Sequence, residues 1–385
     1  MKDDSARWLG LFEANLGIPF TEGNEVVALR NGVEIFPAML EAIDRAGSSV
    51  DFLTFVYWTG DIAKRFAAAL CRAAARGVRT RVILDSLGAH AMDRELVVDM
   101  ERAGIDVEWF RPIRLLHLGK ASHRTHRKVL VCDGEVGFTG GVGIAQEWEG
   151  DAEDSSSWRE THFRLRGPAV AGLAAAFLGN WLDTEAPPIL LNECGATSAP
   201  RGGVHVQVVR TSAAVGWSDV ATCFQTLMQA AERRIRLTTP YFVPDEATLG
   251  LVRDAARRGV RVELLVPGPH IDQRLARLGT RDNFTALLEA GVEVWCFQPT
   301  MVHAKTLTVD GVFACLGSAN FNHRSMRKDD EILLNVVDEE LVGHLDRHFA
   351  EDLARSEPVD LATWKDRSVS RRILEALTRP LRGEM

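Results

Sequence analysis

The apolar positions of the chain follow two spacings, one typical of helices and one typical of strands. Residues 36–58 begin with a helix-like pattern and end in a strand-like apolar run, and residues 223–243 repeat that order. Further helix-like segments in both halves stop at a glycine and lead into apolar runs. This alternation predicts an α/β architecture with a mixed sheet.

The pattern repeats because the residues themselves repeat. Three pairs of blocks match in the same order: ARGVRTRVILD (75–85) with ARRGVRVELLVP (256–267), AGIDVEWFRP (103–112) with AGVEVWCFQP (290–299), and HRKVLVCDGEVGFTGG (126–141) with HAKTLTVDGVFACLGS (303–318). Three matches in register indicate that one α/β unit was duplicated.

The chain has 385 residues, which is longer than a single hydrophobic core usually requires. We predict an N-terminal segment at 1–24, a first domain at 25–185, a Pro- and Gly-rich linker at 186–203, and a second domain with C-terminal helices at 204–385. The domains would be two duplicated α/β sandwiches with mixed sheets, related by a pseudo-twofold axis. That axis would bring equivalent loops together in one active site at the domain interface.

Composition narrows the class of partner and the compartment. The formal net charge of −8 argues against a protein that coats nucleic acid through its overall charge, so an anionic ligand must be attracted locally. Six cysteines stand apart without a C-x-x-C pair, which favours free thiols in a reducing compartment over disulfides or a zinc site. The sequence shows no signal-like or membrane-spanning apolar stretch. We therefore expect a cytoplasmic protein with, at most, peripheral membrane contact.

Each copy of the repeat carries a histidine and a lysine separated by one residue. These pairs are His126 with Lys128 and His303 with Lys305. On a strand, residues i and i+2 project from the same face, so both side chains of a pair can reach one site. A single H-x-K is common by chance, whereas two in register with a wider repeat indicate a function.

Features downstream of each pair are also duplicated. Asp133 and Asp310 each precede a glycine between apolar runs, which is a hairpin-turn pattern, so each carboxylate either makes the turn or orients a catalytic group. The next strand leads to a corner of small residues, at Gly141 in one half and at Ser318 and Asn320 in the other. At such corners a backbone can approach a ligand closely.

These residue types suit phosphodiester chemistry. Lysine ammonium groups and amide or hydroxyl donors can neutralise phosphate oxygens as charge develops. One imidazole can attack phosphorus while the other protonates the leaving alkoxide. A phosphohistidine intermediate would then react with water or with an alcohol, and the scheme requires no metal. The residues alone do not say which histidine takes which role.

The paired H-x-K-x4-D-x6-G motifs, each followed by Gly or Ser, resemble those of the phospholipase D superfamily from about Gly23 to Val337. QPTMVHAKTLTVDG and GSANFNHRS are most similar to bacterial cardiolipin synthases, although the two transmembrane helices that often begin such synthases have no counterpart here. The resemblance implies a metal-independent, cofactor-free enzyme with one motif from each half in a single site. It also implies that His126 is the nucleophile and His303 the general acid.

The resemblance implies further site residues. An acidic residue some 20 to 30 positions beyond each motif orients a catalytic imidazole in the family, and Glu160 and Glu331 are the matching positions. A strand-edge carboxylate is the alternative for each. Gly143 stands where the family often has an asparagine matching Asn320, so one phosphate-facing donor is expected to be missing.

Residues 111–128, which lead into the first motif, interleave basic residues with leucines, and the second half lacks an insertion of about ten residues at this place. The basic residues are Arg111, Arg114, Lys120, Arg124, Arg127 and Lys128, and the leucines are Leu115, Leu116 and Leu118. Such a loop favours an anionic, acyl-bearing substrate at a bilayer surface, with an ordinary interdomain loop as the alternative. Residues 6–20 and 370–382 are helix candidates that either dock on anionic lipid or pack on the core.

The sequence therefore predicts a phosphatidyltransferase of cardiolipin synthase type that acts on a phosphatidylglycerol-like anionic phospholipid through a phosphohistidine. The alternative is a phospholipase D hydrolase with water as acceptor. A nuclease is the less favoured third reading, because the chain is acidic and has only two tyrosines for base stacking. We expect the protein in the cytoplasm, peripheral to the inner face of the cell membrane, and make no prediction of its oligomeric state.

Overall fold

The computed structural model describes residues 2–112, 123–187, 198–212 and 218–380. Its strands are β1 Thr21–Arg30, β2 Ser49–Thr54, β3 Arg79–Asp85, β4 Asp106–Phe110, β5 Val129–Cys132, β6 Val136–Gly140, β7 Thr161–Arg166, β8 Val204–Thr211, β9 Arg234–Thr238, β10 Arg261–Pro267, β11 Glu293–Phe297, β12 Thr306–Val309, β13 Phe313–Gly317, β14 Glu331–Val337 and β15 Ser356–Pro358. Its helices are α1 Lys2–Leu16, α2 Asn31–Arg45, α3 Asp61–Ala75, α4 Arg94–Arg102, α5 Val170–Trp181, α6 Asp219–Ala230, α7 Glu246–Arg257, α8 Arg274–Asp282, α9 Phe284–Glu289, α10 His323–Arg327, α11 Glu339–Ala354, α12 Leu361–Lys365 and α13 Val369–Ala376, with a 3-10 turn at Gln146–Trp148.

The strands of the described residues form one mixed sheet in the order β15-β11-β10-β9-β12-β13-β14-β8-β1-β7-β6-β5-β2-β3-β4. The first half contributes β4-β3-β2-β5-β6-β7-β1, and the second half contributes the equivalent order β11-β10-β9-β12-β13-β14-β8. The mixed α/β class is thereby confirmed. The mixed sheets of the two halves form one continuous sheet, because β1 and β8 pair antiparallel and join the halves edge to edge. The domain boundaries stay predictions, and β1 begins at Thr21, ahead of the predicted boundary at residue 25.

Helices cover both faces of the sheet where the strands are apolar on both sides. All six residues of β2 are buried. Phe52 packs with α2 and α3 on one face, and Leu53 packs with α5 on the other. The cluster around α5 also holds residues of β14 and α11, so it belongs to both halves. A shared apolar core fixes the halves against each other.

The N-terminal helix packs on the core of the second half. Trp8 and Phe12 of α1 are buried, and their rings lie 5.0 and 4.5 Å from that of Phe313 on β13. Burying aromatic side chains of this size contributes on the order of 2 kcal/mol each. Of the two roles expected for residues 6–20, the structure therefore shows the core-packing one.

The two motif aspartates make turns. Asp133 and Asp310 adopt the left-handed conformation, with φ of 56° and 55°. The Asp133 carboxylate accepts hydrogen bonds from the backbone of residues 47–49, at 2.7–2.9 Å. The Asp310 carboxylate binds residues 232–234 in the same way, at 2.7–2.9 Å.

Each aspartate lies at the far end of its strand from the lysine of its motif. For Asp133 and Lys128, five residues of extended chain amount to roughly 16 Å. Of the two roles expected for Asp133 and Asp310, the structure therefore shows the turn role, and the expectation that they orient a catalytic group is corrected. Each carboxylate instead pins the loop that leads into the neighbouring strand, β2 or β9.

Replacing Asp133 or Asp310 by alanine is expected to lower the free energy of unfolding by about 1–3 kcal/mol, because three backbone donors lose their acceptor. The backbone and Ser48 donors outweigh partial burial and hold the pKa of Asp133 below its usual 3.8. The stabilisation is therefore present above that pH and is lost as the pH falls through the lowered pKa. Denaturant unfolding at pH 7 and at pH 3 measures both effects. An unchanged midpoint at pH 7 would contradict the turn role.

Candidate active site

The sheet brings both His–Lys pairs to one edge. His126 and Lys128 lie just before β5, and His303 and Lys305 lie just before β12. Both strands run antiparallel to a strand of the parallel part of the sheet, so they begin where β2 and β9 end. The imidazoles are recessed, with 12% and 9% of the side chain exposed. The four side chains therefore lie at one edge of the sheet, as the sequence predicted.

Two short backbone bridges join the halves at this edge. The His126 N–H donates to the carbonyl of Asp330 at 2.9 Å, and the His303 N–H donates to the carbonyl of Arg159 at 2.7 Å. Because a glutamate directly follows Asp330 and Arg159 in the sequence, each bridge carries that glutamate to the histidine of the other half.

The carboxylate–imidazole pairs are consequently crossed between the halves. Glu331 lies 3.0 Å from Nδ1 of His126, and Glu160 lies 2.7 Å from Nδ1 of His303. An ionised carboxylate only accepts hydrogen bonds, so this arrangement places the proton on Nδ1 of each imidazole. The Nε2 lone pair of His126 is then available, and Nε2 of His303 lies 3.2 Å from Nζ of Lys305. Both glutamates predicted to orient an imidazole lie in position to do so.

The second-half corner serves Glu331. The hydroxyl groups of Ser318 and Ser325 donate to its two carboxylate oxygens, the latter at 2.6 Å. Ser318 was expected to face a ligand, and this is corrected because its hydroxyl is turned to Glu331. Ser325 was missed, although it lies in the quoted stretch GSANFNHRS, because nothing in its spacing distinguishes it from a surface serine.

The first-half corner serves Glu160 in a different way. A Cβ added at Gly141 would lie 2.5 Å from the nearer Glu160 oxygen, so only glycine leaves room for the carboxylate. The Thr161 N–H donates to Glu160 at 2.9 Å, and the Trp148 indole N–H donates at 3.4 Å. The expected close approach at Gly141 is thus to a carboxylate of the protein.

The structure gives a steric reason for Gly143. A Cβ at this position would lie 2.7 Å from Val56 and 3.0 Å from the ring of Trp148. The space that an asparagine side chain would use is therefore filled. At the equivalent position, Asn320 is buried and its Oδ1 has no hydrogen-bond partner among the described residues. Of the two equivalent corner positions, 143 and 320, only 320 thus carries a side-chain amide that can contact a ligand.

Aromatic rings wall the two imidazoles. The rings of Trp148 and Trp158 lie 5.3 and 5.4 Å from that of His303, and the ring of Phe55 lies 5.2 Å from that of His126. The Lys128 ammonium lies 5.3 Å from the centre of the Phe55 ring. Sequence reasoning missed these residues, because no spacing links them to the motifs.

Burial sets the protonation of the basic groups. It lowers the pKa of His126 to about 4 against the opposing effect of Glu331, and it lowers that of His303 well below the usual value. Burial also lowers the pKa of Lys128 to about 7 and that of Lys305 to about 8. Both imidazoles are therefore neutral at pH 7, between lysines that gain charge when an anion binds.

The pKa values of the two glutamates are shifted in opposite directions. Burial raises the pKa of Glu160 despite the opposing charge of Lys305. Burial acts in the same direction on Glu331, but His126, Lys128 and the Ser318 hydroxyl outweigh it and hold the pKa of Glu331 at about 2. The His126 pair thus has the more firmly ionised partner.

Buried polar contacts support each crossed pair from behind. Arg159 donates to Asp352 of α11 at 3.0 Å, and Asn180 of α5 donates to Asp330 at 2.8 Å. All four residues are nearly inaccessible. Each contact links one half to the segment that carries the other half's bridge, so it fixes the position of the glutamate that follows.

Two arginines of the predicted basic loop are buried in the structure. Arg124 is 1% exposed and is paired with Asp85, and Arg127 is 5% exposed and donates to Asn180 and three backbone carbonyls. The expectation that these two arginines face lipid is corrected, because their donors are used inside the protein. Arg114, Lys120 and the three leucines of the loop lie outside the described residues.

Three further expectations concern a metal site, the cysteine thiols and membrane-spanning helices. In the ranges that the structure describes, no group of three His, Cys, Asp or Glu side chains is arranged to hold a metal ion. Cys71, Cys132, Cys223, Cys296 and Cys315 are free thiols, and Cys194 is outside those ranges. None of the helices in the same ranges combines the length and apolar character of a bilayer span.

Comparisons with known proteins point to one family. A family model described as "Cardiolipin synthase, PLD-like domain" matches residues 39–154 and 224–353. Cardiolipin synthase 1 of Bacillus anthracis is 31% identical over 373 residues, covering 94% of this chain and 73% of the relative. Cardiolipin synthase A of Pseudomonas aeruginosa (strain LESB58) is 33% identical over 341 residues, covering 88% and 69%.

Solved structures share the fold. The crystal structure of phosphatidylserine synthase from Haemophilus influenzae Rd KW20 matches with a TM-score of 0.72 at 14% identity, covering 99% of this chain and 100% of that one. Polyphosphate kinase from Porphyromonas gingivalis matches with a TM-score of 0.57 at 15% identity, covering 94% and 53%. At these identities the matches establish the architecture alone.

The equivalent corner residues Gly141 and Ser318 are expected to respond differently to alanine. Gly141→Ala displaces Glu160 from His303 and should lower turnover of a soluble phosphodiester by about 100-fold or more. Ser318→Ala removes one of several donors to Glu331 and should cost roughly tenfold. Initial rates, with thermal melts to verify folding, measure both. A larger loss in Ser318→Ala than in Gly141→Ala would contradict this assignment.

Proposed function

The chain belongs to the cardiolipin synthase family of phospholipase D-like proteins, and we propose that it is a phosphatidyltransferase that uses phosphatidylglycerol as both donor and acceptor. The observation that carries the proposal is the crossed site, with one His–Lys pair from each half and a glutamate on each imidazole. The family match supports it, because its two blocks extend over both halves of the chain.

In the first step, Nε2 of His126 attacks the phosphorus of a phosphatidylglycerol. The P–N bond forms and the P–O bond to the glycerol head group breaks. His303, neutral with its proton on Nδ1 before substrate binds, takes up a second proton on Nε2 when the anionic phosphodiester enters and gives that proton to the leaving glycerol oxygen. The neutral state of His126 and the Nδ1 contact with Glu331 support the nucleophilic role, because both leave the Nε2 lone pair available.

In the second step, the head-group hydroxyl of another phosphatidylglycerol attacks the phosphohistidine. His303 takes the hydroxyl proton, the P–N bond breaks, and cardiolipin leaves with His126 restored. Two phosphatidylglycerol molecules thus give one cardiolipin and one glycerol. His303 acts as acid and then as base, as symmetrical transfer requires.

The lysines stabilise charge on the phosphoryl group. Burial keeps the pKa of Lys128 at about 7 and that of Lys305 at about 8, so both are poised to gain full charge beside a bound phosphodiester. Lys305 Nζ lies 3.2 Å from Nε2 of His303, which places it beside the acid–base group. The same incoming negative charge favours protonation of His303.

The site favours an alcohol over water as acceptor. Trp148 and Trp158 pack against His303, and Phe55 packs against His126, so the imidazoles face a recess with apolar walls. A lipid acceptor that fills the recess excludes water from the phosphohistidine. We propose that the protein works at the inner face of the cell membrane, where its substrates lie, and its unpaired thiols fit a reducing compartment.

The decisive test incubates the purified protein with phosphatidylglycerol vesicles in EDTA and resolves the lipids by mass spectrometry. We expect cardiolipin and glycerol, with rates at least about 1,000-fold lower in His126→Ala and in His303→Ala. His205→Ala, which changes a histidine that pairs with Glu22 at the surface, is the matched control and should retain activity.

Other products would give other conclusions. Phosphatidic acid without cardiolipin would make the protein a hydrolase and contradict the transfer step. An absence of lipid turnover together with cleavage of single-stranded DNA would overturn the lipid substrate itself.

A further inference from the structure

Exposed apolar side chains gather on one surface of the second half. Nine large apolar side chains of the described residues are exposed, and five of them lie on α8, on α13 or just after α13. These five are Leu275, Val369, Ile373, Leu374 and Leu377, each between 51% and 67% exposed. A concentration of this kind on a soluble surface usually marks an interaction site.

Helix α13 turns a charged side toward the protein and an apolar side toward solvent. Its buried side carries Glu375, which is only 2% exposed and is paired with Arg281 of α8 and with Arg367. Its outer side carries Val369 and Ile373, four residues apart, and Leu377 continues the same stripe. A helix that packs on a core presents its apolar side inward. Helix α13 differs, because ion pairs hold its inner side and its apolar side faces outward.

Basic groups flank the apolar stripe. Arg274 is exposed at the start of α8, and it lines a groove of about 530 Å³ together with Leu278 and Leu374. The sequence places further arginines at 371 and 372. Arg379 is also exposed here, although it pairs with Asp282, and the one carboxylate within α13 is paired with Arg281 and Arg367. In a chain with a net charge of −8, this surface is a local exception. Leucines bordered by arginines match the interfacial layer of an anionic bilayer.

The surface adjoins the active site. Helix α8 follows the loop at the carboxyl end of β10, which is the edge of the sheet where His303 and Lys305 lie. Ala276 of α8 packs with Tyr241 and Met301 in a small cluster that Trp158 joins. Since Trp158 also contacts the His303 ring, a bilayer that meets α8 and α13 would lie next to the mouth of the site.

We propose that α8 and α13 form a docking surface for an anionic lipid bilayer, with Ile373, Leu374 and Leu377 inserted among the head groups and the flanking arginines on lipid phosphates. The proposal rests on the proposed function in one respect, because a lipid substrate has to enter the site from the membrane surface. Docking by this surface orients the recess toward the bilayer, so substrate can enter without leaving the membrane.

The test is co-sedimentation of the full chain with vesicles, in a His126→Ala background so that no turnover alters the lipid. The variant Ile373→Ser/Leu374→Ser/Leu377→Ser should bind vesicles of equal parts phosphatidylglycerol and phosphatidylcholine at least about tenfold more weakly. The control Val33→Ser/Leu182→Ser removes exposed apolar side chains elsewhere and should bind within about twofold of the parent. Salt should weaken binding, because the arginine contacts are screened.

Two results would overturn the docking surface. One is unchanged vesicle binding in the triple variant. The other is a parent that is dimeric by light scattering and a triple variant that is monomeric with unchanged vesicle binding, which would make this surface a contact between copies of the chain.

A second readout separates docking from catalysis. With the catalytic histidines intact, turnover of short-chain phosphatidylglycerol below its micelle concentration should be equal in the triple variant and the parent, whereas turnover in vesicles should fall. Vesicle binding that depends on the stripe in a protein without lipid turnover would retain the docking surface and reject the proposed function.

Discussion

The crossed pairing of each catalytic imidazole with the glutamate of the opposite half is the interaction on which the site depends. Neither half holds both members of a pair, so neither can orient a histidine alone. The β1–β8 pairing and the backbone bridges at Asp330 and Arg159 bring the partners together. The continuous sheet and the shared core are therefore conditions for the chemistry as well as for stability.

Near-symmetric backbones carry two different environments. Glu331 is held by two hydroxyl donors and stays ionised beside His126, whereas Glu160 lies against Gly141 and Trp148, with its pKa raised by burial. Two equal copies of a unit can thus supply a nucleophile and an acid–base group. The difference comes from the small residues at the corners and from the rings that fill the space beside them.

Sequence periodicity was sufficient for the local features of this molecule. The duplication, the mixed sheet and the meeting of the His–Lys pairs follow from patterns within each half, and the resemblance to cardiolipin synthases is confirmed by the family match. The crossing of the glutamates, the contact of the Asp133 carboxylate with the loop before β2 and the burial of Arg124 were not predictable in the same way. Each depends on partners distant in sequence, and residue spacing carries no information about them.

The most direct test of the crossed site is the imidazole ¹⁵N spectrum of histidine-labelled protein at pH 7, assigned with His126→Asn and His303→Asn. Both rings should be neutral with the proton on Nδ1. Glu331→Gln should perturb His126 alone and lower its pKa further below about 4, since a favourable negative charge is lost, and Glu160→Gln should perturb His303 alone. Perturbation of the histidine within the same half by each substitution would contradict the crossed site.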